Sequence, residues 1–294
     1  MKRKIKVAII GCGRAGKTIG TILNKSNGYK VTAVACAHDR TAEKAARFIG
    51  KKIRHSSNIL DIARQGEIIF ITTPDDEIER TFLTLCEKKA ILDNTLVIHC
   101  SGNFSSDILK SNKMPGLKTG TMHPLQTFAN PGESANRFKG TTCTYESTSP
   151  VAAKQILHII KALHGTPVRI NKMLKPIYHA SGVIASNYLA TLFYLAEKFL
   201  IKAGFPKKLA NKALLELVEG TVKNLKSPGL PQALTGPVSR GDTDTIQTHL
   251  KMVKKYLPKY LQAYKLLGAH TIELALAKGS INKAKAKELG KILN

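Results

Sequence analysis

Short apolar runs alternate with helical patterns over residues 4–122. Each run is continuous, and β-branched residues dominate the first of them, Ile5–Ile10. Continuous apolar strands separated by helices are typical of a parallel sheet that helices cover on both faces. The pattern therefore predicts a doubly wound α/β (Rossmann) domain. The predicted strands are Ile5–Ile10, Val31–Ala37, Ile68–Thr72, Thr95–His99, Lys118–Met122, Thr141–Tyr145 and Thr166–Ile170.

The strand pattern stops after Asn171, and the remaining sequence is helical in period. We therefore predict a dinucleotide-binding domain over residues 1–170 and an all-helical domain over residues 171–294, the second for substrate binding and dimerisation. The predicted helices of the second domain are Lys172–Lys202, Lys207–Leu225, Asp242–Tyr256, Lys259–Lys278 and Ile281–Leu293.

A glycine-rich loop follows the first predicted strand and opens a predicted helix. Its sequence fits the pattern G-x-G-x-x-G in the context that the dinucleotide-binding fingerprint requires. Such a loop turns tightly, lets the backbone approach a pyrophosphate and presents the free N–H groups of a helix N-terminus. The predicted cofactor-binding residues of this loop are Gly11, Cys12, Gly13, Arg14, Ala15 and Gly16.

The choice between the two nicotinamide dinucleotides is made after the second strand. An acidic residue there binds the ribose 2′-hydroxyl of NAD. In this chain the first positions are neutral and Asp39 comes late, while His38 and Arg40 can meet a 2′-phosphate. We predict NADP, with NAD as the alternative. Asp39 has a second interpretation as the cap of a helix that starts near Thr41.

Two further predicted strands end in polar residues. Ligands of an open α/β sheet bind at the carboxyl ends of its strands. We expect the residues after Ile68–Thr72 to run along the cofactor and those after Thr95–His99 to lie near the nicotinamide. Asp75 and Asp76 have an alternative role as acids of the next helix terminus. The predicted contacts are Thr72, Thr73, Pro74, Ser101 and Gly102.

Charge raises the question of an anionic partner. The chain has 46 Lys+Arg against 20 Asp+Glu, a formal net charge of +26. Nucleic acid is one such partner, but the basic residues are scattered over nearly every helix, tryptophan is absent and aromatic residues make up 6%. We therefore expect no nucleic-acid binding, and attribute to the charge a modest attraction for an anionic cofactor and a small anionic substrate.

Cysteine usage and hydropathy bear on the compartment. The five cysteines form no CxxC pair, which argues against a disulfide framework and against a metal site. No apolar run approaches the ~18 residues that span a bilayer. The sequence is thus interpreted as a cytoplasmic protein without a membrane segment.

Three segments carry a resemblance to a known family. They are Met122–Phe128, which reads MHPLQTF; Tyr178–Ser181, which reads YHAS and is followed by Ser186-Asn187; and Leu234–Asp242, which reads LTGPVSRGD. With the glycine loop, they resemble Rossmann-like proteins whose helical C-terminal domain is of unknown function. The similarity covers about residues 4–249. Wider relatives are ketopantoate reductase, 6-phosphogluconate dehydrogenase, the β-hydroxyacid dehydrogenases, prephenate dehydrogenase and pyrroline-5-carboxylate reductase.

The resemblance implies a nicotinamide-dependent oxidoreductase whose helical domain closes over the cofactor and often forms a homodimer. It implies no particular substrate; we expect a small oxo- or imino-acid between the two domains. Many close relatives carry an arginine-containing stretch where this chain has Cys36-Ala37, a departure that weakens the case for NADP. A cofactor-binding sensor or scaffold without turnover is the alternative function.

Candidate catalytic residues follow from spacing and from the resemblance. Lys175, His179 and Asn187 recur at helical spacing and would share one face. The wider relatives use a lysine followed four residues later by asparagine for acid–base chemistry, so Lys175 or His179 is the candidate general acid or base and Asn187 orients substrate. His123 is a candidate donor to a substrate carbonyl, and Arg240 a candidate clamp for a carboxylate.

Each of these candidates has a structural alternative. Lys175 in a first helical turn points to solvent in that alternative, and His179 is an interface histidine. His123 packs in a loop against Pro124. Asn187, within an apolar stretch, is harder to explain structurally, because a buried amide needs hydrogen-bond partners. Asp242, next to Arg240, has the alternative role of N-cap of the following helix.

Overall fold

The computed structural model describes residues 3–294. The chain divides into two compact units, of which the first ends at Ser186 and the second spans Asn187–Asn294. The last strand ends at Arg169 and helical structure begins at Lys172, close to the residue at which sequence places the change from α/β to helical structure. The boundary between the two compact units, after Ser186, lies further along the chain than the predicted domain boundary after residue 170.

An eight-stranded sheet forms the centre of the first unit. Its spatial order is β3-β2-β1-β4-β5-β6-β7-β8. All neighbouring strands are parallel except β6 and β7, which are antiparallel. The predicted doubly wound fold is confirmed. The strands are β1 Ile5–Ile10, β2 Tyr29–Ala35, β3 Arg54–Ser56, β4 Ile68–Ile71, β5 Leu96–His99, β6 Lys118–Pro124, β7 Thr142–Ser147 and β8 Thr166–Arg169.

Burial explains why the central strands are readable in the sequence. Every residue of β4 and β5 is buried, because helices cover both faces of the sheet. The apolar core accordingly falls into two clusters, one on each face, with Phe70 in one and Phe82 in the other. Strand β3 was not predicted: its three residues, Arg54–Ser56, are polar and none is fully buried.

Helices of the first unit connect these strands. Each of the longer ones buries one apolar face against the sheet, as α1 does with Ile19 and Leu23. Short 3₁₀ segments at Asp75–Glu77 and Ser106–Leu109 lead out of β4 and lie beyond β5. The helices are α1 Arg14–Lys25, α2 Asp39–Ile49, α3 Ile59–Ala63, α4 Ile78–Glu87, α5 Pro131–Asn136, α6 Pro150–Ala162 and α7 Lys175–Gly182.

The second unit is helical, as predicted. The single predicted helix Lys172–Lys202 is instead a 3₁₀ turn, α7, a π-helical segment Val183–Tyr188 and α8. An extra residue per turn in a π segment shifts the helix face, so strict helical spacing does not carry across it.

No helix within residues 3–294 is long and apolar enough to cross a membrane. The helices of this unit are α8 Leu189–Lys202, α9 Lys207–Lys226, α10 Pro237–Arg240, α11 Thr243–Tyr256, α12 Leu261–Lys278 and α13 Lys283–Leu293.

Candidate functional site

The glycine loop lies at the carboxyl end of β1, next to the end of β4. Gly11 has a φ of +78°, and a Cβ added there would lie 2.5 Å from the backbone nitrogen of Thr73. The hydroxyl of Thr72 donates to the carbonyl oxygen of Gly11 at 2.9 Å. The turn is therefore fixed by the next strand, and it needs glycine for both its conformation and its close packing.

The N-terminus of α1 is open to a ligand. Its N-cap residue is Gly13, which has no side chain with which to cap the helix. A Cβ on Gly13 would meet only the carbonyl oxygen of Gly11, at 3.9 Å, whereas one on Gly16 would lie 2.6 Å from Thr72 Oγ1. Gly16 is thus needed for packing, and Gly13 leaves free space over the helix N-terminus. Exposed N–H groups and a partial positive charge at that position suit a phosphate.

A cavity of about 610 Å³ lies beside the loop. It is lined by residues of the β1, β2 and β4 ends, including Gly11, Ala37, Thr73 and Pro74. The hydroxyl of Thr73 is buried without a hydrogen-bond partner among residues 3–294. Such a group costs free energy unless a ligand binds it. The open helix terminus, the cavity and this hydroxyl together fit a dinucleotide, and Thr73 is a better contact than Thr72, whose hydroxyl holds the loop.

At the end of β2, Asp39 is held away from the role of a helix cap. Helix α2 begins at Asp39 itself, so the interpretation of Asp39 as the cap of a helix from Thr41 is wrong. The carboxylate accepts a hydrogen bond from the backbone N–H of Ser57, which lowers its pKa below the usual value. His38 occupies the N-cap position and Arg40 lies in the first turn, and both are exposed.

Ser101, after β5, is fully engaged by its own neighbourhood. Its hydroxyl donates to Asp75 Oδ2 at 2.7 Å and accepts the backbone N–H groups of Asn103 and Phe104, each at 3.1 Å. The hydroxyl therefore shapes the loop and has no free donor for a nicotinamide. Asp75, which sequence interprets as a helix-terminal acid, holds this serine.

His99 fixes the same loop from below. Its Nδ1 accepts the backbone N–H of Ser101 at 3.2 Å, so the ring proton is on Nε2, which lies 3.1 Å from the carbonyl oxygen of Ser105. Burial lowers the pKa of His99 to about 3, with the Lys175 charge contributing in the same direction. The imidazole is thus neutral and holds the loop that contains Gly102.

Lys175 is fully buried, which rules out its predicted alternative as a solvent-facing residue. Its Nζ lies 3.1 Å from the carbonyl oxygen of Ser101 and 3.1 Å from the hydroxyl of Thr121. Burial lowers its pKa to about 8, while the charges of Glu146, Cys100 and Asp75 act in the opposite direction. Lys175 therefore joins the start of α7 to the loop after β5 and to β6.

Two histidines converge beside Gly102. A Cβ on Gly102 would lie 2.6 Å from His179 Nδ1 and 3.0 Å from His123 Nε2. The two imidazole rings meet edge to face with their centroids 5.9 Å apart. On its other side, His123 Nδ1 lies 2.7 Å from the hydroxyl of Tyr178. Burial lowers the pKa of His123 to about 4, with the nearby Lys175 and His179 acting in the same direction.

Two predicted site residues belong to the second unit. Asn187 is exposed, so the inference from a buried amide is wrong: the apolar stretch around it leaves several side chains on the surface, including Ile184 and Tyr188. Arg240 is exposed at the end of α10, with Nη2 3.9 Å from Asp242 Oδ2. Asp242 accepts the backbone N–H of Thr245 and is the N-cap of α11, as its structural alternative states.

Two residues of this arrangement, Tyr178 and Thr121, were not predicted from the sequence. Tyr178 contacts His123 across 55 positions of sequence, and Thr121 contacts Lys175 across 54. Tyr178 lies in the quoted segment YHAS next to His179, which is the only signal that singles it out. Thr121 lies in a buried strand and is indistinguishable in sequence from a core threonine.

Two family models match the chain. A model described as a Rossmann-like domain matches residues 1–124. A second, described as a domain of unknown function (DUF2520), matches residues 141–271. No curated protein matches the chain.

Solved structures share the fold. A Bacteroides fragilis protein named as a candidate NADP oxidoreductase has a TM-score of 0.72 and 20% identity over 92% of this chain and 98% of its own. The Thermotoga maritima protein TM1727 has a TM-score of 0.70 and 21% identity over 92% and 99%. Pyrroline carboxylate reductase from Plasmodium falciparum, solved with NADP bound, has a TM-score of 0.59 and 16% identity over 99% and 98%.

Proposed function

For a chain that carries a Rossmann-like domain followed by a DUF2520 domain, we propose an NADP-dependent oxidoreductase function. The enzyme transfers a hydride between the nicotinamide and a small oxo- or imino-acid. The observation that carries the proposal lies within the first unit. Two features lie at the carboxyl ends of strands of one sheet. They are the glycine loop with its adjoining cavity, and the pair His123 and His179 beside Gly102. Open α/β sheets bind their ligands at this edge.

The residues toward the dinucleotide divide by role. The free N–H groups of α1 above Gly13 suit the pyrophosphate, and the unpartnered hydroxyl of Thr73 suits a ribose or phosphate oxygen. His38 and Arg40, exposed after β2, are the candidates for a 2′-phosphate. Two structural relatives are named for NADP, which supports the same choice. When bound, the nicotinamide supplies the hydride donor or acceptor.

Proton handling falls to the two histidines in this proposal. His123 and His179 lie together beside Gly102, and both are half-buried, so each borders solvent in part. Lys175 is enclosed, and we assign it the role of holding the Ser101 loop. Arg240 stays the candidate for a substrate carboxylate, because its guanidinium is exposed and has only a long contact to Asp242.

Cofactor turnover tests the proposal. The purified protein is incubated with NADPH and a panel of 2-oxo acids, ketopantoate and cyclic imino acids, and in the oxidative direction with NADP and hydroxy acids. Absorbance at the nicotinamide band reports the rate. We expect turnover with at least one small acid and its loss in His123→Asn. Cofactor binding without turnover on any substrate class would instead favour the sensor or scaffold function.

We propose that the second unit forms a homodimer interface. Its helices leave large apolar side chains exposed, among them Leu192 of α8 and Leu267 of α12, which line one apolar groove. Exposed apolar surface of this kind marks association surfaces, and a second copy is the simplest occupant in symmetric oligomers. Sedimentation velocity should give twice the mass of one chain, and Leu267→Glu should reduce the assembly. A monomer at micromolar concentration would contradict this interface.

Nucleic acid is not among the proposed partners. A gel shift with random duplex DNA at near-physiological salt should show no retained complex, whereas a salt-sensitive complex would reopen that assignment. We place the protein in the cytoplasm, in keeping with five free cysteines.

A further inference from the structure

The contact between Tyr178 and His123 has no part in the cofactor cradle. Tyr178, on α7, places its hydroxyl 2.7 Å from Nδ1 of His123, on β6. The two rings meet edge to face with their centroids 5.5 Å apart. Burial raises the pKa of Tyr178, so the phenol keeps its proton at working pH. The pair thus joins a protonated phenol to a neutral imidazole.

The hydrogen-bonding partners of the phenol decide which ring nitrogen of His123 carries the proton. A neutral imidazole has one N–H and one acceptor nitrogen. The hydroxyl of Thr144, on β7, donates to the backbone carbonyl oxygen of His123 at 3.5 Å. Among the hydrogen bonds of residues 3–294, the phenol O–H has one acceptor, Nδ1 of His123, and therefore donates to it. The proton of the imidazole then lies on Nε2.

The free edge of His123 faces the position where the chain has glycine. A Cβ added at Gly102 would lie 3.0 Å from Nε2 of His123 and 2.6 Å from Nδ1 of His179, so these two ring nitrogens pack close to the glycine. Both residues are half-buried, so each borders solvent in part. Because Nδ1 is engaged by Tyr178, Nε2 is the ring nitrogen of His123 that is left to meet a substrate.

Resting on the function proposed above, we propose that Tyr178 is a positioning residue that holds His123 with its Nε2–H toward the reacting oxygen of a carbonyl or alcohol substrate. In the reductive direction, hydride from the reduced dinucleotide bonds to the carbonyl carbon and the C=O π pair moves to oxygen. That oxygen takes the Nε2 proton while the phenol proton moves to Nδ1. Solvent then protonates Nε2 while the Nδ1 proton returns to the phenolate, which restores the Nε2–H imidazole and the phenol, so one hydride and one proton are consumed.

The charges around the pair favour oxygen over an imine nitrogen. An imine is reduced as its iminium cation, which a carboxylate facing the substrate would stabilise. The carboxylates whose charges act on Lys175 are instead engaged: Asp75 accepts from Ser101, and Glu146 accepts from Ser106. A neutral N–H donor beside a buried ammonium stabilises negative charge that develops on oxygen. The substrate class is thereby narrowed from oxo- or imino-acids to oxo- and hydroxy-acids.

The cofactor-free protein provides the first test. Nitrogen-15 NMR of the histidine rings distinguishes a protonated from an unprotonated ring nitrogen. In the wild-type protein we expect His123 as the Nε2–H tautomer, and in Tyr178→Phe a mixture of tautomers. Tyr29→Phe, which removes a hydroxyl from a buried residue of β2, is the matched control and should leave the His123 signals unchanged. A wild-type His123 with its proton on Nδ1 would overturn the positioning role.

Kinetics provides the second test. Tyr178→Phe should lower kcat on an oxo-acid by about 10- to 100-fold with little change in KM, as expected for loss of a general-acid geometry. Equal kcat for the two proteins, or faster reduction of a cyclic imine than of any oxo-acid, would refute the assignment. Failure to bind NADPH would refute the oxidoreductase function instead, and the tautomer measurement would still decide the role of Tyr178.

Discussion

Removing the Lys175 charge should change how the stability of the protein depends on pH. The side chain is fully buried, and burial lowers its pKa from 10.5 to about 8. In the unfolded chain the lysine has its ordinary pKa of 10.5, so between pH 8 and pH 10.5 the unfolded state binds more protons than the folded state. The contribution of this group to stability is therefore lowest below pH 8 and rises up to pH 10.5. The difference between the two pKa values corresponds to about 3 kcal/mol.

Urea unfolding at pH 7 and at pH 10 measures this contribution in the wild type and in Lys175→Met. Cysteine and tyrosine residues also titrate in this range, but they are common to both proteins and cancel in the difference. The wild type should gain about 2–3 kcal/mol over Lys175→Met between the two pH values. Lys154→Met, which removes an exposed charge from α6, should follow the wild type. If the free energy of unfolding changes equally with pH in the wild type and in Lys175→Met, the claim that burial lowers the pKa of Lys175 is refuted.

Three further substitutions test individual parts of the site. Thr73→Val removes an unpartnered buried hydroxyl and should weaken NADPH binding about tenfold with no loss of stability. Thr72→Val should instead lower the melting temperature, because the hydroxyl of Thr72 holds the glycine loop. Equal effects of the two substitutions on NADPH affinity would contradict these separate roles of Thr72 and Thr73. Arg40→Ala should reduce the preference for NADPH over NADH by about tenfold, measured by fluorescence titration with both dinucleotides. An unchanged ratio of the two affinities would show that Arg40 does not bind the 2′-phosphate. Gly102→Ala should abolish turnover and cost about 1–3 kcal/mol of stability, because a methyl group 2.6 Å from Nδ1 of His179 forces the ring to move; full activity would contradict the observed approach of the ring.

The sheet was largely predictable because its strands are short, apolar and buried on both faces. Strand Ile5–Ile10 has the bounds that its β-branched run predicts. Polar β3 is the exception, since three residues at the edge of the sheet give no hydrophobic signal. The π segment Val183–Tyr188 was equally unreadable, because its sequence fits an ordinary helix.

The candidate site was predictable only where a local motif defines it. The glycine loop depends on neighbours in sequence, and G-x-G-x-x-G after a strand identifies it. Lys175 and Ser101 are 74 positions apart, and their contact depends on how β5 and α7 pack. A lysine in a first helical turn next to Pro176 gives no sign of burial. For Asn187 the expectation of burial was wrong. Its sequence neighbours are apolar, but several of them are themselves exposed, and so is Asn187.

Cofactor binding at the glycine loop is the central claim, and Gly13→Ala tests it most directly. An added Cβ at Gly13 meets only the carbonyl oxygen of Gly11, at 3.9 Å, so the fold accommodates alanine, but the methyl group enters the space left for a pyrophosphate. Gly28→Ala is the control, since a Cβ there meets no atom of residues 3–294 within 4 Å.

The measurement is a fluorescence titration with NADPH of the wild type and both variants, with melting temperatures to confirm folding. The account predicts saturable binding by the wild type and Gly28→Ala, and at least about tenfold weaker binding by a normally folded Gly13→Ala. Equal affinity of Gly13→Ala and the wild type, or no binding by the wild type, would contradict it.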